Sequence, residues 1–247
     1  MDTTDATAVA DAVQKAEDTF GGIDFLVANA GSSTPGYFLD QDLEVFERTM
    51  RLNYMGCVYV AKEVAARMVR AGRKGSITLV SSVAGIIGFL GYGSYTPSKF
   101  AVRGLADVLR NELCGFGITV HVAYPPDTDT EGFKKENETK PKENTEISND
   151  PAVSAETVAT LMVDGLRRGL YHLPNPDPVQ SALIYAQSGA TPRSFFLLEV
   201  LLAPLCVLLM RAFIAYADFV ASGYGQRVSA SLSTVHSKRK RRKSKSS

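Results

Sequence analysis

A tyrosine and a lysine spaced for joint chemistry stand out in this sequence of 247 residues. Tyr95 and Lys99 are four residues apart, so a helix would place both side chains on one face, one turn apart. A free tyrosine has a pKa of about 10, and an ammonium group within reach favours its phenolate. A tyrosine tuned in this way can protonate a carbonyl oxygen while hydride arrives at the carbon. The pair therefore predicts a proton-donating centre for carbonyl reduction.

The surrounding pattern predicts elements that would position this pair. Three short apolar runs are typical of buried strands, and they cover residues 23–28, 76–80 and 118–123. Helical stretches lie before, between and after them, at about residues 4–20, 42–71, 95–115 and 155–168. This alternation predicts an α/β fold with a parallel sheet.

Ser82 follows the second predicted strand and lies thirteen residues before Tyr95. Ligands in open α/β sheets bind outside the carboxyl ends of the strands, and Ser82 occupies such an end. We therefore expect its hydroxyl to reach a substrate oxygen beside the tyrosine. The alternative is a serine that only caps a helix or lies in a loop.

Other segments supply small or polar residues at comparable places. Asn29, Ala30 and Gly31 follow the first strand, where small residues let a flat ligand approach the backbone. Asn53 lies inside a helical stretch although asparagine is a poor helix former, which indicates a local kink. Residues 124–130 follow the third strand and could fold over a bound ligand.

Together these motifs resemble the short-chain dehydrogenase/reductase family, from Asp2 to about Thr130. The resemblance implies a Rossmann-like, doubly wound parallel sheet and a nicotinamide dinucleotide cofactor. It also implies a catalytic tetrad, whose matching positions are Asn53, Ser82, Tyr95 and Lys99. The implied cofactor contacts begin with Asp2 at the adenine and continue with Asn29, Ala30, Gly31, Tyr95, Lys99, Pro126, Asp127 and Thr128.

The family usually has Pro-Gly after the last core strand, whereas this chain has Pro126-Asp127. The segment around this departure, residues 124–141, is similar to family members that reduce long-chain lipid ketones with NADPH. Those members work at the endoplasmic reticulum membrane with the catalytic domain facing the cytosol. The resemblance implies NADPH, a long-chain lipid ketone and a membrane as the partners of this chain. A steroid, retinoid or acyl substrate is the alternative.

One family feature is missing from the sequence. The family begins with a strand, a glycine-rich turn of the Thr-Gly-x-x-x-Gly-x-Gly type and a helix, and the turn cradles the pyrophosphate. No such turn occurs here, so we expect a sheet that lacks its first βαβ units. We then expect an exposed sheet edge, poor solubility and weak NADPH binding for the chain alone. A non-catalytic binding partner is therefore a second hypothesis, and a homo-oligomer also stays open.

The sequence predicts three regions. Residues 1–190 form the partial catalytic domain, 191–222 an apolar, membrane-associated helical segment, and 223–247 a basic disordered tail. The apolar segment could span a membrane, lie at its surface or form a buried core helix. Within the first region, residues 125–152 predict a polar, mobile loop, interpreted as a substrate lid or as a solvated connector.

The charge distribution and the cysteine content limit the partners and metals that this chain is predicted to bind. Seven of the 27 basic residues lie between Lys238 and Lys245, so the rest carries 26 acidic against 20 basic side chains. A basic tail beside an apolar segment favours anionic lipid over nucleic acid, so no nucleic-acid partner is predicted. Cys57, Cys114 and Cys206 are too few and too widely spaced for a disulfide framework or a zinc site, and no metal is predicted.

Overall fold

The computed structural model describes residues 1–147, 151–187, 200–201, 203–205, 207–220 and 223. Its centre is a parallel sheet of three strands in the order β1 (Phe25–Ala28), β2 (Gly75–Val80) and β3 (Ile118–Ala123). Leu26 pairs with Ile77 across one gap, and Ile77 pairs with Val120 across the other. The predicted strands, their parallel arrangement and the Rossmann-like fold class are thereby confirmed.

The first helix, α1 (Ala6–Phe20), has the ends that its sequence specifies. The Asp5 carboxylate accepts hydrogen bonds from the backbone N–H groups of Thr7 and Ala8, at 2.8 and 3.2 Å. Gly21 ends the helix with a φ of +74°, a conformation that glycine adopts without a steric penalty. Val9 and Val13 point into the core, where they stabilise the helix against the rest of the domain.

The long helical stretch predicted over residues 42–71 consists of three parts. They are α2 (Leu43–Met50), a π-helical turn (Arg51–Met55) and α3 (Gly56–Arg70). The turn contains Asn53, so the regular α-helix is interrupted where the poor helix former stands, and the kink itself stays a prediction. π-Helical turns inside α-helices are rare and frequently mark functional sites.

Two further helices match their predicted positions. Helix α4 (Tyr95–Leu113) follows the second strand, and α7 (Ala155–Arg167) begins after the Ser154 cap. The main core forms where α1, α3 and α4 pack on the sheet. Its fully buried aliphatic side chains include Val9, Val64, Ile77, Leu79, Val102, Ile118 and Val122.

Strand β1 forms the edge of this sheet. Among the residues that the structure describes, no strand pairs with the outer side of β1. The side chains of Phe25 and Val27 are 74% and 47% exposed, although strand residues of a parallel sheet are ordinarily covered. This is the exposed apolar edge that the sequence led us to expect.

The mobile loop predicted over residues 125–152 is wrong for most of its length. Two helices, α5 (Glu131–Thr139) and α6 (Lys142–Ile147), occupy it, and β4 (Thr128–Asp129) pairs with β5 (Val153–Ser154). The Thr130 hydroxyl caps α5 by accepting a hydrogen bond from the Phe133 N–H at 3.1 Å. Long-range bonds then hold α6 in place, since Asn144 Nδ2 donates to the Leu90 carbonyl at 3.1 Å.

The C-terminal part of the described chain contains α8 (Pro178–Gln187) and an apolar helix. The helical segment Ala203–Val220 is long and apolar enough to cross a membrane, and none of it is buried in the protein. The core-helix interpretation is therefore wrong. Tyr216 Oη bonds to the Glu146 carbonyl at 3.4 Å and so connects this helix to α6. Residues 191–199, Cys206 and all of the predicted tail except Gly223 lie outside the described residues.

Candidate active site

Ser82 lies directly beyond the carboxyl end of β2 and does two things there. It caps a short 3₁₀ turn (Val83–Gly85), with its Oγ accepting a hydrogen bond from the Ala84 N–H at 3.2 Å. Its side chain also lies close enough to the hydroxyl of Tyr95 to lower the pKa of that tyrosine. Ser82 can therefore cap the turn and still reach a substrate oxygen, because the hydroxyl that caps the turn also lies beside the tyrosine.

Tyr95 and Lys99 occupy the first turn of α4 and lie together. Lys99 is 5% exposed, and its Nζ donates to the Val80 carbonyl at 3.0 Å. The same Nζ lies 5.5 Å from the centroid of the Tyr95 ring. The ammonium is therefore fixed between the end of β2 and the tyrosine, with its stem buried.

Asn53 connects two parts of the site through its amide. Its Oδ1 accepts from the Ser32 N–H at 2.9 Å, and its Nδ2 donates to the Ser32 carbonyl at 3.0 Å. The second Nδ2 proton goes to Ser98 Oγ at 3.0 Å, and that hydroxyl donates to the Tyr95 carbonyl at 2.6 Å. Asn53 thus ties the loop after β1 to the turn that carries the tyrosine.

Ser98 was not indicated by the sequence patterns. It is completely buried, and it joins Asn53 to the backbone of Tyr95. Its position three residues after the tyrosine places it on the inner face of α4, beside the lysine. A polar residue at that spacing is the signal that could have drawn attention to it.

The loop after β1 lies beside Lys99 and is exposed to solvent. Asn29, Ala30 and Gly31 are exposed at the carboxyl end of the strand. A Cβ added to Gly31 would lie 3.0 Å from Asn53 Oδ1 and 3.5 Å from Lys99 Nζ. Glycine at position 31 therefore lets the backbone of this loop pass close to the asparagine and the lysine.

The electrostatics around Tyr95 differ from the simple expectation of a tyrosine tuned by lysine. Burial raises the pKa of Tyr95, and although the neighbouring Ser82 hydroxyl opposes this effect, Glu136 and Asp127 add to it. Burial also lowers the pKa of Lys99, to about 8. Both shifts have the same cause, because each charged form loses water in the protein interior.

The carboxylates that act on Tyr95 come from the segment that was expected to be a mobile loop. Glu136 accepts a hydrogen bond from the Tyr92 hydroxyl at 2.5 Å, and burial raises the pKa of Glu136. Asp127 forms an ion pair of 3.5 Å with Lys140. The Tyr92 and Tyr95 rings are in contact, with centroids 5.9 Å apart. No local sequence signal indicated this contribution, because it depends on how α5 packs.

The remaining predicted cofactor residues fall in two places. Pro126, Asp127 and Thr128 lie beyond β3, where Thr128 Oγ1 donates to the Pro126 carbonyl at 2.8 Å. Asp127 is close enough to raise the pKa of Tyr95, so this group borders the site. Asp2 is exposed ahead of α1 and accepts from the Thr4 N–H at 2.8 Å. Its assignment to an adenine stays a prediction.

A parallel sheet with a serine two residues beyond its middle strand, and with a tyrosine and a buried lysine on the next helix, defines a Rossmann-like fold with a candidate active site. The family model for short chain dehydrogenases matches residues 1–141, and the chain belongs to that family.

Two curated relatives show which members of the family this chain is similar to. The chain is 47% identical to 3-ketodihydrosphingosine reductase of Dictyostelium discoideum over 188 residues, which are 75% of this chain and 56% of that protein. It is 43% identical to the Bos taurus protein of the same name, over 68% of this chain and 51% of that one. The chain thus spans about half the length of these curated relatives.

A solved structure also resembles the chain. ElxO with NADP bound superposes with a TM-score of 0.60 at 25% sequence identity. The superposition covers 71% of this chain and 74% of ElxO. The likeness supports the Rossmann-like fold of the described residues.

Proposed function

We propose that the protein reduces 3-ketosphinganine to sphinganine with NADPH, as a step of sphingolipid biosynthesis. The observation that carries the proposal is the arrangement around the Tyr95 hydroxyl, which has Ser82 beside it and Lys99 fixed behind its ring. The names of the relatives support this choice of substrate, since those with 43% and 47% identity are 3-ketodihydrosphingosine reductases. The structural neighbour ElxO holds NADP, which supports the choice of cofactor.

The residues of the chain divide the chemistry between them. Tyr95 Oη donates its proton to the ketone oxygen, and the Ser82 hydroxyl holds that oxygen in hydrogen-bond distance. Lys99 favours the phenolate that remains, because its ammonium lies behind the ring. Asn53 and Ser98 act as positioning residues, since their bonds fix the turn that carries the tyrosine. NADPH, when bound, supplies the hydride that converts the carbonyl carbon to a secondary alcohol.

The described residues fit one end of this cofactor. The exposed loop Asn29–Gly31 lies next to Lys99 at the carboxyl end of β1, where a flat nicotinamide and its ribose would bind. We assign Asn29, Ala30, Gly31, Tyr95, Lys99, Pro126, Asp127 and Thr128 to that end, and Asp2 to the adenine. The sequence contains no glycine-rich turn for the pyrophosphate, so we expect NADPH to bind the chain more weakly than low micromolar. Titration of the purified chain with NADPH measures this.

The proposal includes a place in the cell. The helical segment Ala203–Val220 supports attachment to a membrane. We place the protein at the endoplasmic reticulum, with residues 1–190 facing the cytosol. Protease protection in sealed microsomes tests this orientation, since a cytosolic domain is digested without detergent. A domain that resists protease until detergent is added would contradict it.

Turnover is tested with membranes from cells that express the protein. Conversion of 3-ketosphinganine to sphinganine at high NADPH is followed by mass spectrometry, with Tyr95→Phe as the variant. We expect product from the unchanged protein and a loss of at least a hundredfold in the variant. Equal amounts of product from both, or none above that of empty membranes, would overturn the proposed reductase.

The exposed edge of β1 favours a second candidate, a subunit that binds another strand and has no turnover. Phe25 and Val27 present apolar surface there, and an unpaired strand is a template for pairing. The two candidates respond differently to two variants. If Phe25→Lys abolishes the cellular role while Tyr95→Phe preserves it, binding is the role and catalysis is not.

A further inference from the structure

An apolar cleft lies between the catalytic domain and the C-terminal helix. It measures about 410 Å³ and separates Ile87–Leu90 from one face of the helical segment Ala203–Val220. Phe213, Ile214 and Ala217 line the helix side, and Ile147 at the end of α6 closes one wall. Asp218 is the one ionisable group among these lining residues.

Residues that line the cleft are connected to Tyr95, the proposed proton donor. Ile87–Leu90 belongs to the connection between Ser82 and Tyr95, so both ends of this connection carry the chemistry. The Phe89 ring is 6.4 Å from the Tyr92 ring, which in turn is 5.9 Å from the Tyr95 ring. The Asn144 bond to the Leu90 carbonyl fixes the same connection against α6. Two successive ring contacts therefore link the lining of the cleft to the Tyr95 ring.

The opposite wall is the helix whose composition suits a bilayer. Its outer side chains are exposed, with Leu208 at 65% and Phe219 at 76%, while Phe213 and Ile214 face the cleft. A molecule that leaves the hydrocarbon layer along this helix would meet the cleft before it met the tyrosine. The position favours an apolar ligand that arrives from the membrane rather than from water.

We propose that this cleft binds the alkyl tail of the lipid ketone and that the tail enters it along the C-terminal helix. The inference rests on the proposed function, because it places the tail of that substrate. The volume lies within the range of about 300–1,000 Å³ in which pockets enclose small ligands. The apolar lining suits methylene groups, and the ketone head would extend from Leu90 toward Tyr95.

The first test uses a fluorescent reporter, since the chain contains no tryptophan. Phe213→Trp places an indole in the cleft, and Leu208→Trp places one on the exposed side of the same helix. The protein is reconstituted in phosphatidylcholine vesicles and titrated with 3-ketosphinganine brominated at the end of its tail. We expect saturable quenching, severalfold stronger for Phe213→Trp. Equal or unsaturable quenching overturns the proposal, as does emission that follows protein concentration instead of the ketone, which indicates a second copy in the cleft.

A blocking variant gives the second test. A Cβ at Gly88 would meet only the Thr96 methyl group, at 3.9 Å, so Gly88→Leu is expected to fold while it fills the cleft. Gly104→Leu is the matched control, because a Cβ there meets nothing within 4 Å. We expect Gly88→Leu to weaken ketone binding to the Phe213→Trp reporter at least tenfold and Gly104→Leu to leave it unchanged. Equal binding in the two variants overturns the proposal.

Tail length then separates this inference from the proposed function. For water-soluble 2-amino-3-ketones of increasing tail length, assayed without lipid vesicles so that the tail leaves water on binding, KM should fall by about fourfold per methylene until the cleft is full. Gly88→Leu should flatten that dependence. Turnover that ignores tail length in both proteins overturns the cleft assignment and leaves the reductase. Saturable, Gly88-dependent quenching with no turnover of any ketone overturns the reductase and leaves the cleft.

Discussion

The two sides of Tyr95 are built differently. The lysine side consists of Lys99, Asn53 and Ser98, which are at most 5% exposed and bonded to backbone or to each other. The carboxylate side consists of Asp127 and Glu136, which reach the tyrosine from the segment after β3. Helix α4 carries Lys99 and Ser98, and the π-helical turn before α3 carries Asn53. The carboxylate side comes instead from α5 and from the loop that precedes it.

The lysine side and the carboxylate side therefore act on different properties of Tyr95, namely the position of its hydroxyl and the charge around it. The lysine side fixes where the hydroxyl lies, because its hydrogen bonds end on the backbone of Val80 and Tyr95. The carboxylate side opposes the phenolate, because its negative charge adds to the effect of burial and raises the pKa of Tyr95. Substitutions at four residues can break or sharpen this distinction, and they are given from the largest expected effect to the smallest.

Removing the hydroxyl itself abolishes what both sides act on. We expect Tyr95→Phe to lower kcat/KM for the ketone by about 10²–10⁴, the range for a lost general acid. Tyr59→Phe, a change of the same kind at the core edge of α3, should leave the rate within twofold. Steady-state kinetics of NADPH oxidation measure both. A Tyr95→Phe rate within tenfold of the unchanged protein would show that another group supplies the proton.

The lysine side carries a charge that the pH can remove. Burial lowers the pKa of Lys99 to about 8, so its ammonium is the main form below pH 8 and is lost as the pH rises. We expect kcat/KM to fall by about tenfold per pH unit above that pKa. Lys99→Arg keeps its charge and should lose this limb, provided circular dichroism shows it folded. Lys99→Met should be slow at every pH; an unchanged limb in Lys99→Met would assign the titration elsewhere.

The hydrogen bonds of the lysine side predict that the protein becomes less stable when one of them is removed. Ser98→Ala leaves one Asn53 amide proton without an acceptor, which costs about 1–3 kcal/mol of unfolding free energy. Ser94→Ala is the matched control, since the buried Ser94 hydroxyl has no hydrogen-bond partner in the described structure. Denaturant unfolding measures both variants. Equal midpoints for the two would mean that the Asn53–Ser98 bond is not stabilising.

The carboxylate side predicts the smallest change. Glu136→Gln removes a negative charge that raises the pKa of Tyr95, so the tyrosine should ionise at lower pH. Glu138→Gln changes an exposed residue of the same helix and should leave the titration in place. The ultraviolet titration of each variant, minus that of the same variant with Tyr95→Phe, isolates the Tyr95 phenolate among the ten tyrosines. A tyrosine titration that moves to higher pH, or moves equally in both variants, would remove the charge role assigned to Glu136.

The sequence predicted more of the lysine side than of the carboxylate side. The spacing of Tyr95 and Lys99 is a local helical property, and Ser82 stands directly after an apolar run that reads as a strand. The interruption of the α-helix at Asn53 also followed from a local preference. Helix α5 was missed because its sequence is polar and short, and because its Thr130 cap was not distinguished from a turn.

By itself, the sequence determined the parallel α/β order, the residues at the carboxyl ends of the strands and the apolar character of the C-terminal segment. Periodicity and local propensity suffice for these features, since each depends on residues close in the chain. Only the tertiary structure decided that Glu136 and Asp127 lie near Tyr95 and that Ser98 completes the Asn53 network. The direction of the Tyr95 and Lys99 pKa shifts was decided there too, because burial depends on contacts between residues that are distant in sequence.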